Sequence, residues 1–376
     1  MKILFTCCPA PAHLYPLVPL AWALRSAGHT VLVGTAENFR PVVNEAGLPA
    51  ATVADPVDLV AWLRPPEGGP FVHGSGRDRA LRHSGYRFGE LAVRSLPGTA
   101  RLVETWRPDL VVAEPVEFAG PVAAAAAGVS WVRHLWGLAM REEIAGAAAA
   151  AFPLRAAKDG LPAPALTVDV CPRSLQYPAV RDAVNVAAMR YVPYNGPAAL
   201  PGWLLGRPPR PRVCLTLGTI LARDPAAGGP WRTALRTFTD LGAEVLVAID
   251  DRHRDVLGDL PDGVRLGRLP LAETLRSCAA IVHHGGSGTT MTAAACGVPQ
   301  LVLPHFADQF GNADRVSGAG AGLSLTPEQV SEQAVVAACR ALLDDDALKD
   351  RARALAAENA ERHSPAEVVD LLEEYR

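Results

Sequence analysis

Two short segments of this 376-residue chain set reactive side chains on backbone turns that could put them to use. In IVHHGGSGTTMTAAACGVPQLVLPHFADQF, residues 281–310, an apolar β-type run ends at His283, glycines follow at 285, 286 and 288, and a helix of small residues opens near Thr289. Glycines let a backbone approach an anion closely, and a helix N-terminus offers unpaired amides and the positive end of its dipole, so the segment is a recipe for holding phosphate. One exposed dipole contact contributes only about 0.3–1 kcal/mol, so several must converge. The pattern is not a P-loop, because no GKS or GKT follows. Nor is it a dinucleotide fingerprint, because no acidic residue ends a second strand at the required distance. Taken alone, the glycines would equally make a tight strand-to-helix turn.

The other segment is CCPAPAHLYPLVPL, where His13 follows the first β-type run and stands at the start of a helix. A neutral imidazole there could remove a proton from a substrate, a service generally worth about 10²- to 10⁴-fold in rate. The alternative is a capping or packed histidine. Both segments need rigid elements behind them, and the chain supplies these in a regular rhythm. Ile3–Thr6, Val31–Gly34 and Leu110–Ala113 alternate with the helix-type stretches Leu17–Ala27 and Gly120–Gly128. The rhythm restarts at Val213–Leu217 and continues through Val245–Ile249, Ile281–His283 and Leu301–Leu303. Strands apolar on both faces and separated by helices predict parallel sheets covered on both sides.

Between the halves, Pro193–Arg212 is so rich in Pro and Gly that regular structure is excluded. The expected organisation is a first domain over 1–198, a linker over 199–211, a second domain over 212–363 and a terminal helix over 364–376. Ser364, Pro365 and Glu367 carry the start signal of that helix, which could pack on the first domain. Two open sheets in tandem would face a central cleft with the carboxyl ends of their strands.

Composition excludes several classes. A formal net charge of −3 with 20% charged residues is not the footprint of a nucleic-acid binder. No apolar stretch reaches the roughly 18 residues of a membrane span, and MKILFTCC reads as a strand rather than a secretory signal, so the expectation is a cytoplasmic protein. Seven cysteines without zinc-type spacing read as reduced thiols, and no metal is assigned. The acidic run Asp344–Asp346 reads as helix capping or a solvated surface.

HLYPLVPLAWALRSAGH, PDLVVAEPVEFAGPVAA, RHLWG, YVPYNGP, LTLGT, and HHGGSGTT through FADQF together resemble the GT-B nucleotide-sugar glycosyltransferases. The likeness is greatest to the bacterial enzymes that decorate macrolide and aromatic polyketide antibiotics, and it spans nearly the whole chain. It implies two Rossmann-like, doubly wound domains of the GT-B fold. It implies that His284 hydrogen-bonds the diphosphate, with Gly286, Ser287, Gly288 and Thr289 as donors around it, and that Gly218 and Thr219 form a loop over the same group. Asp308 and Gln309 match the acid–amide pair that holds sugar hydroxyls, a pairing that both accepts and donates. Arg268, Leu269 and Pro270 fall where the base is gripped. Plant relatives using UDP-sugars carry Trp and Gln at the positions of Arg268 and Leu271, so the resemblance favours a TDP-deoxysugar as substrate, with no cofactor.

The same resemblance makes His13 the catalytic base, oriented by Glu114, with Glu117 the less favoured alternative. The expected reaction is inverting transfer to a small polyketide-type aglycone, assisted by domain closure that excludes water. Trp62, Phe71, Tyr86, His134 and Trp136 are the candidate acceptor contacts, aromatic side chains suiting a flat apolar ligand. One departure matters: related enzymes often carry an acid two positions after LWG, where this chain has Leu138 and Ala139 after Gly137. Carbon glycosylation therefore stays open beside oxygen glycosylation. A GT-B epimerase and a noncatalytic donor-binding helper are the rival readings. A homodimer and a need for an auxiliary activator protein are also left open.

Overall fold

The computed structural model describes residues 1–64, 77–151 and 161–375. They form two compact units, one from Met1–Gly196 with Glu361–Arg376 and one from Pro197–Ala360. In the first unit, strands β1 (Lys2–Thr6), β2 (Thr30–Ala36), β3 (Ala50–Ala54), β4 (Leu110–Ala113), β5 (Ser130–His134), β6 (Leu166–Asp169) and β7 (Val186–Ala188) make one sheet in the order β3-β2-β1-β4-β5-β6-β7. Every pairing is parallel. Ile3, Leu4, Leu110, Val111 and Val112 are fully buried, which is why β1 and β4 read as unbroken apolar runs rather than alternating ones.

Helix Arg77–Trp106 packs on helix Glu142–Ala151 through glycines one turn apart. A Cβ at Gly85 would lie 2.4 Å from the Ile144 carbonyl oxygen, and one at Gly89 would lie 2.4 Å from that of Ala148. Only glycine permits this approach, and the face so formed also carries Phe88, whose neighbour is His13. The chain returns to this unit at its end. Ser364 and Glu367 form a reciprocal capping box, and the helix they start, Pro365–Glu373, packs on helix Val18–Ser26.

The second unit contains β8 (Arg212–Thr216), β9 (Glu244–Ala248), β10 (Arg265–Gly267), β11 (Ala280–His283), β12 (Gln300–Val302) and β13 (Gly322–Ser324) in the order β10-β9-β8-β11-β12-β13. These pairings too are all parallel. Trp231 and Phe238 of helix Gly229–Asp240 are fully buried against Val213, Leu215 and Val245. Residues 199–211, expected as a linker, group by their contacts with this unit, which begins at Pro197. The stretch holds a short 3₁₀ turn, Gly202–Leu204, and Trp203 lies 5.3 Å from the guanidinium of Arg212 and 4.6 Å from that of Arg265. Proline excludes helix and sheet here, but these cation–π contacts tie the segment to the sheet.

All seven cysteines are free. Asp345 accepts the amides of Ala347 and Leu348 and so caps helix Asp346–Ala360. Among the described residues, no helix is long and apolar enough to cross a membrane.

Candidate active site

Each sheet has one place where the chain turns from building outward on one side to building outward on the other: β1 beside β4 in the first unit, β8 beside β11 in the second. Loops leaving such a pair diverge to opposite sides and open a crevice at the strand ends, the usual seat of a ligand in this architecture. The two candidate segments sit at these equivalent places.

In the first unit, His13 follows β1 and Glu114 follows β4. The His13 Nδ1 is 2.9 Å from Glu114 Oε1. Glu114 is 1% exposed, and its carboxylate is held from behind: Oε1 also accepts the Cys8 amide at 3.2 Å and Oε2 accepts the Val116 amide at 2.8 Å. The carboxylate is placed to accept from all three neighbours, which makes Nδ1 the protonated nitrogen of this contact and Nε2 the lone-pair nitrogen of the neutral tautomer. Trp136 meets the imidazole edge-on at 4.6 Å between centroids, and Phe88 lies tilted at 5.9 Å. The ring is thus fixed by a carboxylate on one side and aromatic walls on others.

Glu117, the alternative partner, does something else. Its carboxylate accepts the amides of Ala119 and Gly120 at the start of helix Ala119–Ala126. Burial pushes its carboxyl up to about 7 against the pull of those amides. It borders a cavity of about 20 Å³, room for one water, with Cys7, Thr35, Phe88 and Ser95. Cys8, His13 and Glu114 offer ligand atoms within 4.8 Å of one another. Burial holds the Cys8 thiol well above its ordinary range, and its Sγ donates weakly to the Val116 carbonyl. The Glu114 oxygens accept three hydrogen bonds, two at Oε1 and one at Oε2.

In the second unit, His284 follows β11 and Gly218 follows β8. The His284 Nδ1 is buried without a hydrogen-bond partner among the described residues, and burial draws its pKa down to about 3. The ring lies against two glycine positions: a Cβ would fall 2.4 Å from its Cε1 at Gly218 and 2.6 Å from its Nε2 at Gly286. Gly286 also begins helix Ser287–Cys296, and being glycine it provides no side chain to cap the first amides. A neutral ring with an unsatisfied buried nitrogen, beside an uncapped helix start, is suited to a polar anionic ligand. His283 is structural: its Nδ1 accepts the Gly285 amide at 3.0 Å, so Nε2 is protonated and donates to Gln300 Oε1 at 2.8 Å.

The helix opens at Ser287, two residues before the sequence placed it. The Ser287 hydroxyl donates to Asp308 Oδ2 at 2.8 Å and accepts from Asn312 Nδ2 at 3.2 Å. Its proton is therefore committed to Asp308, and only its backbone amide is left for a phosphate. Asp308 follows Ala307, a non-glycine residue at φ 53°, a conformation that costs of order 1–3 kcal/mol and must be held by its surroundings. Gln309 holds it: Oε1 accepts the amides of His305 at 2.8 Å and Phe306 at 3.2 Å. Any contact of Gln309 with a sugar therefore falls to Nε2. Asn312, which sequence reasoning missed, joins the Gly285 carbonyl at 2.7 Å to Ser287 and Asp308. Its spacing of four from Asp308 on one helix was the available signal.

The remaining candidates divide. Trp136 stands against His13. His134 is fully buried at the end of β5, its Nδ1 donating to the Leu135 carbonyl at 2.7 Å and its Nε2 unpartnered, with burial lowering its pKa to about 4. Trp62 is packed onto helix Arg77–Trp106, donating to the Arg87 carbonyl and stacked 4.2 Å from its guanidinium, and it borders the apolar cluster that contains Phe88 and Trp136. Tyr86 is 46% exposed, and Phe71 lies outside the described residues. Arg268 and Leu269 lie in the irregular segment that follows β10, and Thr219 is exposed beside Gly218.

Comparison with known proteins adds identity to this geometry. The sequence model of the erythromycin biosynthesis protein CIII-like N-terminal domain matches residues 22–218, and that of the C-terminal domain matches residues 232–375. The chain is 52% identical to the L-demethylnoviosyl transferase of Streptomyces niveus over 98% of its own length and 97% of the relative's. It is 37% identical to the elloramycin glycosyltransferase of Streptomyces olivaceus, covering 98% and 96%. Among solved structures, the Streptomyces sp. SF2575 glycosyltransferase SsfS6 complexed with thymidine diphosphate superposes with a TM-score of 0.84 at 35% identity, over 100% of this chain and 99% of that one.

Proposed function

The chain belongs to the erythromycin biosynthesis protein CIII-like family of GT-B glycosyltransferases, and from that membership we propose that it is an inverting, metal-independent enzyme moving a deoxysugar from a TDP-sugar to a hydroxyl of a polyketide-type acceptor. The demethylnoviosyl group named for its relative at 52% identity, and the thymidine diphosphate bound to its structural neighbour, support the sugar and nucleotide classes. The observation that carries the chemical part is the 2.9 Å bond between His13 and the thrice-bonded Glu114.

Each unit is assigned half of the reaction. In the first, His13 Nε2 accepts the proton of the acceptor hydroxyl as that oxygen attacks the anomeric carbon, and Glu114 stabilises the imidazolium. In the second, the bond from the anomeric carbon to the diphosphate breaks, and the departing charge is met by the amides at the start of Ser287–Cys296 and by His284. Asp308 and the Gln309 amide orient the sugar. With dipoles supplied by the backbone, the leaving group needs no divalent cation. A base of this kind suits a hydroxyl better than an aromatic carbon, which favours oxygen glycosylation.

The anomeric configuration of the product, read by NMR coupling constants, tests the reading. Configuration opposite to that of the donor is expected, in the presence of EDTA as in its absence. Retention, or loss of turnover on chelation, would overturn it.

A further inference from the structure

A buried chain of hydrogen bonds runs from the C-terminal segment to the loop beside the base, entirely within the first unit. Arg362 is the second residue after helix Asp346–Ala360. Its Nη2 donates to Asp169 at both the carbonyl, 2.5 Å, and Oδ2, 3.0 Å, while Nε donates to the Met189 carbonyl at 3.1 Å. The two side chains are 9% and 5% exposed. The other carboxylate oxygen of Asp169 accepts from Gln176 Nε2 at 2.8 Å. Gln176 Oε1 in turn accepts the amide of Ala139 at 3.1 Å, and its Nε2 reaches the Gly137 carbonyl at 3.5 Å. Gly137 and Ala139 lie in the loop whose Trp136 packs edge-on against His13.

We infer that Arg362 and Gln176 are positioning residues for the base, holding the Trp136 loop against His13 through Asp169. The inference rests on the reading of His13 as the base. The loop from Leu135 to Met140 is neither helix nor strand, and past Leu135, whose amide donates to the Val168 carbonyl at 2.9 Å, it runs without a helical or sheet ladder to hold it. Its place is set instead by a side-chain amide whose orientation is dictated by a carboxylate, itself oriented by the forked donors of an arginine. Lys at 362 could meet the charge of Asp169 but not reproduce the fork that also binds Met189. The residues that position the acceptor side of the site therefore include one near the far end of the sequence.

Hydrogen–deuterium exchange on the full-length Gln176→Met and Arg362→Met proteins tests this, together with calorimetric binding of TDP and mass-spectrometric mapping of His13 modification by diethyl pyrocarbonate. Exchange over residues 135–141 should rise by roughly tenfold, the scale of losing one ordinary hydrogen bond. Modification of His13 should change in rate in both variants, and TDP affinity should not. The double variant should be no more affected than the stronger single one, because both act through one chain of bonds. Gln176→Met leaves the Arg362–Asp169 pair intact, so a folding failure of the arginine variant does not remove the test. Unchanged exchange over 135–141, additive effects, or a rise spread equally over β1 and β4 would overturn the inference. Full transfer activity in a His13→Ala protein would instead remove the base assignment and leave the exchange result standing.

Discussion

Gly218 lies so close to the His284 imidazole that a single methyl group added to it would fall 2.4 Å from the ring carbon Cε1. Its φ of +67° adds a second barrier, since side-chain-bearing residues rarely adopt that conformation. Gly218→Ala should displace the ring or the loop and lower TDP affinity at least about tenfold, equivalent to about 1.4 kcal/mol. Calorimetric titration with TDP would check this, and undiminished affinity would contradict the assigned diphosphate site.

Asn312 fastens Gly285, Ser287 and Asp308 at once, in the region proposed to hold the sugar. Asn312→Ala removes bonds to the Gly285 carbonyl, the Ser287 hydroxyl and Asp308, leaving buried polar groups at a cost of about 1–3 kcal/mol. The expected outcome is a raised KM for the nucleotide sugar and a lowered unfolding midpoint, with the KM for the acceptor unchanged. Steady-state kinetics with each substrate varied in turn would separate the two.

Three histidines with lowered pKa values make the folded chain sensitive to acid. His134, His283 and His284 titrate near 6.5 when unfolded, but burial draws them down to about 4, 4 and 3 in the folded protein. The unfolded chain then binds more protons across that window. The stability these groups confer is complete above pH 6.5 and falls as pH drops toward 4, by up to about 1.4 kcal/mol per pH unit for each histidine. Glu117 acts in the opposite sense: with its carboxyl raised to about 7, its contribution is complete below 4.5 and is lost as pH rises through 7. Replacing one histidine should therefore flatten the acid limb. His283→Gln, followed by urea unfolding between pH 7.5 and 5, should show a lower plateau and a shallower decline, and an unchanged slope would contradict the buried neutral ring.

Much of this arrangement was legible in the residues. The apolar runs of β1, β4, β8 and β11 exposed the parallel sheets, and His13 and the glycines after His284 announced their own strand ends. What remained hidden depends on side-chain direction. Nothing in local spacing says that the Gln309 carbonyl turns back to hold the amides of His305 and Phe306, or that the Ser287 proton goes to Asp308. Trp62 and Trp136 are alike as aromatic residues in the first half of the chain, yet one is claimed by Arg87 and the other by His13. Proline in 199–211 announced irregular backbone correctly, but not the two arginines that hold Trp203 to the second sheet. The link between Arg362 and Asp169 spans 193 residues, beyond the reach of any periodicity.

The central claim is that His13, oriented by Glu114, removes the acceptor proton while a separate site in the other unit holds the nucleotide. Single-turnover transfer and TDP binding should be measured side by side on the His13→Ala protein. Transfer should fall by about 10²- to 10⁴-fold while TDP affinity stays at the wild-type value. Wild-type transfer in that variant would contradict the account.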